Sequence, residues 1–164
     1  MTVLSEFSAD EQRLLMEGPR HGAVVVSAAS LGQKRETASE GIAAAEYILN
    51  SRGDYLDNAL VSSILFAIEK RADSGAKFAD FSELASAPGA RDEALGRLQQ
   101  LAELLDSKVD PAEAAGYKQW VINTAVRTSE AGAEGGGFFS RSRIMVNEDE
   151  KETVAQVSAA LGIA

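Results

Sequence analysis

The sequence of 164 residues contains no cysteine and a single histidine, His21. Disulfide bonds, thiolate catalysis, zinc fingers and iron–sulfur clusters need cysteine, so all of these are excluded. One histidine cannot supply the two Glu-x-x-His motifs of a helical di-iron site, which excludes that chemistry as well. His21 follows a predicted helix start, so we expect a helix-terminal or surface residue rather than a metal ligand or general base.

Basic residues and long apolar runs are also scarce. Sixteen Lys and Arg stand against 25 Asp and Glu, which gives a net charge of -9. Nucleic acids and anionic lipids attract basic surfaces, so we expect neither partner. The apolar runs at 23–31 and 60–68 fall well short of the ~20 residues of a membrane helix, and no secretory leader is recognisable. We therefore expect a cytoplasmic protein that does not interact with a membrane.

The familiar catalytic and nucleotide-binding motifs are missing. The chain has no Walker motif, no dinucleotide fingerprint and no Gly-x-Ser-x-Gly, and one histidine makes a serine triad improbable. The hydrophobic fraction of 45% and charged fraction of 25% are typical of globular domains. We predict a single domain over 1–164, with a subdivision near 73–88 as the alternative, no cofactor and no bound metal.

Helix signals punctuate the first third of the chain. Ser8-Ala9-Asp10-Glu11 is a capping box that opens a helix, which we expect to end at Gly18-Pro19. Pro19 suits the first turn of a second helix from Arg20 to Leu31. The triplet Val24-Val25-Val26 also fits a strand, but no second strand candidate exists and Gly32 is a natural C-cap, which favours a helix.

Two further helices and a short aromatic segment are predicted in the middle of the chain. The third helix covers about 37–52 and carries Ala38, Ile42, Ala45 and Leu49 on one face. The fourth covers about 55–72 and is apolar almost all round, which is typical of the central helix of a bundle. Phe78 and Phe81 are then expected to cover an open end of the core.

Three more helices complete an all-α bundle of about seven helices. The fifth begins at Pro88-Gly89 and carries a leucine stripe from Leu95 to Leu105, which is filled either internally or by a partner helix. Asp110-Pro111-Ala112-Glu113 is the clearest helix start, and Asn147 begins the last helix. The leucine stripe and the apolar fourth helix together suggest a homodimer.

The loop over 134–143 differs from an ordinary connection because it contains three glycines, two phenylalanines and two arginines. The helix before it carries an aromatic pair, Tyr117 and Trp120. Glycines can expose several N–H groups to an anion, and two arginines can add charge-assisted bonds. The alternative to anion binding is that the loop only ends the helix, with its phenylalanines packed on the core. The aromatic pair likewise has two interpretations, since it lines either a ligand pocket or the core. The candidate ligand-binding residues are Tyr117, Trp120, Gly135, Gly136, Gly137, Phe138, Phe139, Arg141 and Arg143.

Acidic residues offer a second kind of site. Glu36 and Glu40 lie four residues apart, so they share a helix face on which a divalent cation could be bridged by oxygen ligands. The twelve-residue EF-hand pattern is missing, and the helix dipole explains acidic first turns more simply. The carboxylates with Arg141 and Arg143 define the alternative function, a metal- or anion-binding stress-response protein or small enzyme.

Several segments, most of them in the last third of the chain, follow one recognisable pattern. A tyrosine–tryptophan helix leads into a Glu-Gly-Gly aromatic loop, and a capped helix ends in Ala-Leu-Gly; the opening from Phe7-Ser8 to Pro19 matches as well. The matching segments are 112–120, 124–127, 130–131, 134–136, Val146, Glu150 and 159–162. In this pattern the chain resembles a family of small bacterial all-helical proteins of uncharacterised function. The resemblance implies an all-helical fold and no particular activity.

A more distant similarity is to the helical tellurite-resistance domain, which implies an acidic, metal-associating stress protein. The place of that domain's acidic loop is taken here by Ala28-Ala29-Ser30-Leu31-Gly32, which has no carboxylate. The function that the sequence favours is a non-enzymatic module that binds a protein or a small ligand and self-associates.

Overall fold

The computed structural model describes residues 1–29, 34–77, 80–134 and 148–163, without the side chains of 34–36, 133–134 and 148–150. Within these ranges the chain forms seven α-helices and no strand, which confirms the predicted all-α bundle. The helices are α1 (Ala9–Ala29), α2 (Lys34–Asn50), α3 (Ala59–Asp73), α4 (Phe81–Ser86), α5 (Ala90–Lys108), α6 (Pro111–Glu134) and α7 (Glu148–Ala160). Short 3-10 helices lie at Leu4–Glu6 and Ser51–Tyr55. The expected roles of Gly32, Phe78 and Asn147 fall outside the described residues.

The centre of the bundle is α1, which lies against α5 and α6, while α2 packs mainly on α6. α7 closes one side against α1, α5 and α6. Helices on both sides of 73–88 therefore pack on each other and share one hydrophobic core. Its largest fully buried side chains are those of Leu15, Leu60, Ile64, Leu65, Leu98, Leu101, Leu105, Tyr117, Trp120 and Leu161.

The prediction that the first helix ends at Gly18-Pro19 is wrong. Both residues lie inside α1, which continues through the buried Val24-Val25-Val26 to Ala29. Proline has no N–H, so the carbonyl of Leu15 loses its helical donor, and such an orphan group normally ends or distorts a helix. Here the Tyr117 hydroxyl donates to the Leu15 carbonyl oxygen at 2.5 Å. A side chain from another helix therefore allows α1 to pass through the proline.

The central position predicted for the fourth helix is also wrong. α3 buries one face through Leu60, Val61, Ile64 and Leu65, but Phe66 is 59% exposed. Leu56, before the helix, is 71% exposed. The helix starts later than predicted because Asn58 is its N-cap and accepts from the Val61 N–H at 3.0 Å. α3 consequently lies at the edge of the bundle.

Three of the predicted helix starts, at Ser8, Gly89 and Asp110, are confirmed. The Ser8 N–H donates to the Glu11 carboxylate at 3.0 Å, and the Glu11 N–H donates to the Ser8 hydroxyl oxygen at 3.3 Å. The carboxylate of Asp110 accepts from the Ala112 N–H at 2.9 Å at the start of α6. Gly89, with φ of 73°, precedes α5. Local hydrogen bonds of Ser8 and Asp110 therefore decide the starts of α1 and α6, as expected.

Candidate functional site

The aromatic pair of α6 is enclosed by the protein itself. Tyr117 and Trp120 have no exposed surface, and their rings meet edge-to-face with centroids 5.7 Å apart. The Trp120 indole N–H donates to Ser51 Oγ at 2.8 Å, and the Tyr117 hydroxyl donates to the Leu15 carbonyl oxygen. Burial raises the pKa of the Tyr117 hydroxyl well above its ordinary value, so the group stays protonated and donates. These contacts fit the core interpretation.

The rest of the ligand site predicted from the sequence is not described. Gly135, Gly136, Gly137, Phe138, Phe139, Arg141 and Arg143 all lie in 135–147, outside the described residues. A ligand role for this loop, together with the α6 aromatics, therefore stays a prediction.

Glu40 is buried among helices rather than displayed for a cation. It is 2% exposed, and the Ser27 hydroxyl of α1 donates to its carboxylate. Gly132 of α6 provides the space, because a Cβ there would lie 2.4 Å from Glu40 Oε1. The Glu36 side chain is outside the described residues. In the described part of the chain, no group of three or more histidine, aspartate or glutamate residues could hold a metal ion.

His21 is neither helix-terminal nor on the surface, contrary to the prediction. It lies in the middle of α1 with 17% of its side chain exposed, and buried Nε2 has no hydrogen-bond partner. Burial, followed by the charges of Arg20 and Arg97, lowers its pKa from 6.5 to about 4. Because α1 continues through Pro19, His21 lies inside a helix that packs on α5 and α6 rather than at a free helix start.

Acidification should destabilise the protein through His21. The unfolded chain takes up the proton near pH 6.5 and the folded chain only near pH 4, so stability present above pH 6.5 is lost as the pH falls towards 4. Glu17 Oε2 lies 3.7 Å from Nε2 and favours the protonated ring, so we expect a loss of about 1–2 kcal/mol. Urea unfolding of wild type and His21→Leu between pH 7 and 4.5 measures it. An equal decline in both chains would contradict the assignment.

One groove in the described part of the chain lies between α1, α2, α3 and α4. Its volume is about 360 Å³, which lies at the lower end of the range for small-molecule sites. Small residues of α2 and α3, Gly41, Ala45 and Ala72, leave the space open. Apolar side chains form most of its lining: Met16, Ala44, Ile48, Leu49, Ile68 and Phe81.

Phe81 becomes a wall of this groove through two local features. Asp80 caps α4 by accepting from the Glu83 N–H at 3.1 Å, which places Phe81 at the first position of the helix. Gly41 on α2 allows the ring to approach, because a Cβ there would lie 2.7 Å from Phe81 Cδ1. The groove is therefore bounded on one side by an aromatic ring that sits directly on the α2 backbone.

The charged residues of the groove are mainly basic. Among the described residues, Arg20, Arg71 and Lys77 line it together with the carboxylate of Glu17, which pairs with Arg20 at 3.2 Å. Among the described residues of the lining, three are basic and one is acidic, in a chain whose net charge is -9. The described lining thus combines an apolar surface with charged residues that are mainly basic.

A second depression lies between α2 and α6 and has a different character. It is lined by Glu46, Tyr47, Arg127 and Glu130 among others, with a volume of about 410 Å³. The Arg127 guanidinium lies 5.9 Å from the centroid of the Tyr47 ring and 3.1 Å from the Glu130 carboxylate. This depression is open and polar, and its only described cation, Arg127, is already paired with Glu130, so it is the weaker candidate.

Sequence reasoning missed every residue of the groove as a site. The lining comes from four helices and from residues up to 65 positions apart, as between Met16 and Phe81. One signal was present in α2, where Gly41, Ala44 and Ala45 cluster small residues on one side of an otherwise ordinary helix. Small residues of this kind leave space beside a helix, but only the packing shows whether another side chain fills it.

Comparison with protein-family models, with curated proteins and with solved structures finds no match. Among the helices described, none combines the length and the apolar composition that a bilayer crossing requires. The bacterial helical family and the tellurite-resistance similarity therefore stay predictions from the sequence.

Proposed function

We propose that this chain is a non-enzymatic binding module whose groove between α1, α2, α3 and α4 takes a small apolar molecule that carries an acidic group. The observation that supports this proposal is the combination of an apolar lining with Arg20, Arg71 and Lys77 in one cavity. Apolar surface supplies affinity, and a few charged groups select the ligand's polar end.

The surroundings of the groove favour binding over catalysis. Its apolar residues Met16, Ile48, Ile68 and Phe81 pack against the core, so the lining is supported from beneath. Its titratable groups are two arginines, a lysine and Glu17, and Glu17 is held by Arg20. Arginine stays protonated and serves as an anion partner rather than as a general acid or base.

Filling the groove should weaken binding strongly. Ala72 is exposed and lines the groove, so Ala72→Trp places a large ring in the space without touching a buried position. Decanoate, a ten-carbon carboxylate, is the probe, and isothermal titration calorimetry is the measurement. We expect a loss of affinity of about tenfold or more, equivalent to ~1.4 kcal/mol. Ala115→Trp, on an exposed position of α6 outside the groove, is the matched control and should bind as wild type does.

The same titration tests the charge. Decanol has the same chain without the carboxylate, so we expect it to bind more weakly than decanoate. Lys77→Gln should weaken decanoate about two- to fivefold and leave decanol unchanged, because one partly exposed ion pair contributes about 0.5–1 kcal/mol. Lys70→Gln, an exposed lysine of α3 outside the groove, should have no effect. Binding that Ala72→Trp leaves intact, or no binding of either probe, would refute the proposal.

The alternative function, a metal-responsive protein or small enzyme, has its own discriminating measurement. A cation bound only by the folded chain must raise the melting temperature, so melts across a panel of divalent cations separate the two functions. The binding-module proposal predicts no midpoint shift with any of them. A saturable shift that Glu40→Gln removes would favour the alternative instead.

A further inference from the structure

The apolar face of α2 points away from the bundle. Ile42 is 61% exposed, Leu49 is 45% exposed, and Ala38 and Ala45 are exposed as well. The buried face of the same helix is instead formed by Glu40, Ala44 and the partly buried Tyr47. We call Ala38, Ile42, Ala45 and Leu49 the outer stripe of α2. A solvent-facing row of this kind is typical of an interaction surface.

We propose that the outer stripe of α2 binds the same stripe of a second copy of this chain, with the two helices antiparallel. The four positions follow one another at intervals of four, three and four residues, which is the spacing of a helix–helix seam. This surface is distinct from the leucine stripe of α5, where Leu98, Leu101 and Leu105 are fully buried inside the bundle.

The order of residue sizes selects the second copy as the occupant. Along the stripe the side chains read small, large, small, large. In an antiparallel pair centred between Ile42 and Ala45, Ile42 faces Ala45 of the second copy and Leu49 faces Ala38. Each large side chain then meets an alanine, and the two-fold axis repeats both contacts, as an isologous interface requires. A parallel pair would place isoleucine on isoleucine and leave the alanines facing each other.

Charge is compatible with this arrangement despite the net charge of -9 per chain. The stripe itself carries no charge. Beside it lie Ser39 and Glu46 on one flank, and the antiparallel pairing sets Glu46 opposite Ser39 of the second copy rather than opposite another Glu46. Like charges therefore do not meet directly across the seam.

The second copy would also complete the groove. Ala45 and Leu49 belong both to the outer stripe and to the groove lining. Ile42 of the second copy, seated on Ala45, lies beside the groove and adds an apolar side chain to its edge. The homodimer therefore contributes a residue to each of its two sites.

The size of the seam predicts a weak dimer. From Ala38 to Leu49 the helix rises about 16 Å, which is shorter than the contact of a standard interface burying ~800 Å² per partner. We expect a dissociation constant in the micromolar range. Sedimentation equilibrium of wild type should therefore show a mass that rises from 17.3 kDa towards twice that value with increasing concentration.

The Leu49→Glu variant should stay monomeric, with a mass of 17.3 kDa, over the same concentrations. The matched control is Leu56→Glu, which puts the same charge on a leucine that is 71% exposed and lies outside the stripe. It should dimerise as wild type does. A wild-type chain that stays monomeric, a Leu49→Glu chain that still dimerises, or equal loss in both variants would overturn the proposal. Far-UV circular dichroism checks that both variants are folded.

Cysteine cross-linking tests the register, because the chain has no cysteine of its own. Ile42→Cys and Ala45→Cys chains are mixed and oxidised, and the products are separated by mass after one chain is tagged. The antiparallel register predicts that the mixed disulfide between positions 42 and 45 forms faster than either symmetric disulfide. Preferred symmetric cross-links at position 42 would overturn the register, and no cross-links at dimer-forming concentrations would overturn the surface.

Discussion

Gly18→Ala is expected to destabilise the protein by about 1–3 kcal/mol, although alanine is ordinarily the better helix former by ~1 kcal/mol. A Cβ at position 18 would lie 2.1 Å from the Tyr117 hydroxyl oxygen and 2.8 Å from Leu101 Cδ2. The hydroxyl cannot move away freely, because it is fully buried and donates to the Leu15 carbonyl. Chemical denaturation with far-UV circular dichroism measures the change.

Gly96→Ala is the matched control for this substitution. Gly96 lies inside α5, and nothing is found within 4 Å of where its Cβ would be. With no contact to oppose the helix propensity, we expect this variant to be more stable than wild type by up to about 1 kcal/mol. If Gly18→Ala were stabilising to the same extent, the close approach of Tyr117 to α1 would be contradicted.

A double-mutant cycle separates the clash from the lost hydrogen bond. Tyr117→Phe alone leaves the Leu15 carbonyl without a donor, since Pro19 has no N–H, and should cost about 1–3 kcal/mol. In Gly18→Ala with Tyr117→Phe the nearest overlap is gone, so the pair should be less destabilised than the sum of the single variants. Additive effects would show that Gly18, Pro19 and Tyr117 do not act together.

Trp120→Ala is expected to have the largest effect of a single substitution, about 3–5 kcal/mol. The side chain has no exposed surface and contacts the rings of Tyr117 and Tyr55, with centroids 5.7 and 6.4 Å away. Since domains of this kind are stable by only about 5–15 kcal/mol, the variant should lie close to unfolding. Thermal unfolding followed by circular dichroism measures the loss.

Ser51→Ala isolates the polar part of this interaction. The Ser51 hydroxyl accepts from the indole N–H and itself donates to the Ile48 carbonyl, so it links α6 to the end of α2. Removing it leaves a buried N–H unpaired and should cost about 1–3 kcal/mol, less than Trp120→Ala. If Trp120→Ala lowered the free energy of unfolding by less than about 1 kcal/mol, the burial of the Trp120 ring in the core would be contradicted.

The helix boundaries that depend on local hydrogen bonds could be predicted from the sequence. Ser8, Asp110 and Gly89 act within a few residues of their own position, so their neighbours decide the outcome. The prediction that the first helix ends at Gly18-Pro19 is wrong because the Tyr117 hydroxyl donates to the carbonyl that the proline leaves unpaired. Tyr117 lies 98 positions after Pro19 in the chain. A local signal is overruled where a distant side chain satisfies the group that the signal leaves unpaired.

The burial of α2 could not be predicted for a related reason. Apolar periodicity singles out Ile42 and Leu49, whereas the face that is buried contains Glu40. A carboxylate can be buried where a hydroxyl donates to it and a glycine leaves room, as Ser27 and Gly132 do here. Those residues belong to α1 and α6, so the pattern within α2 does not reveal them. The groove could not be predicted for the same reason, because its lining residues come from several helices.

We propose the groove between α1, α2, α3 and α4 as the place where a ligand binds. Methyl NMR of the protein during titration with decanoate tests this claim most directly. We predict saturable shifts of the methyl signals of Met16, Ile48 and Ile68, which line the groove, with no change at the fully buried Val157 and Leu161 of the α7 side. Saturable shifts at Val157 and Leu161 with none at the three groove methyls would contradict it.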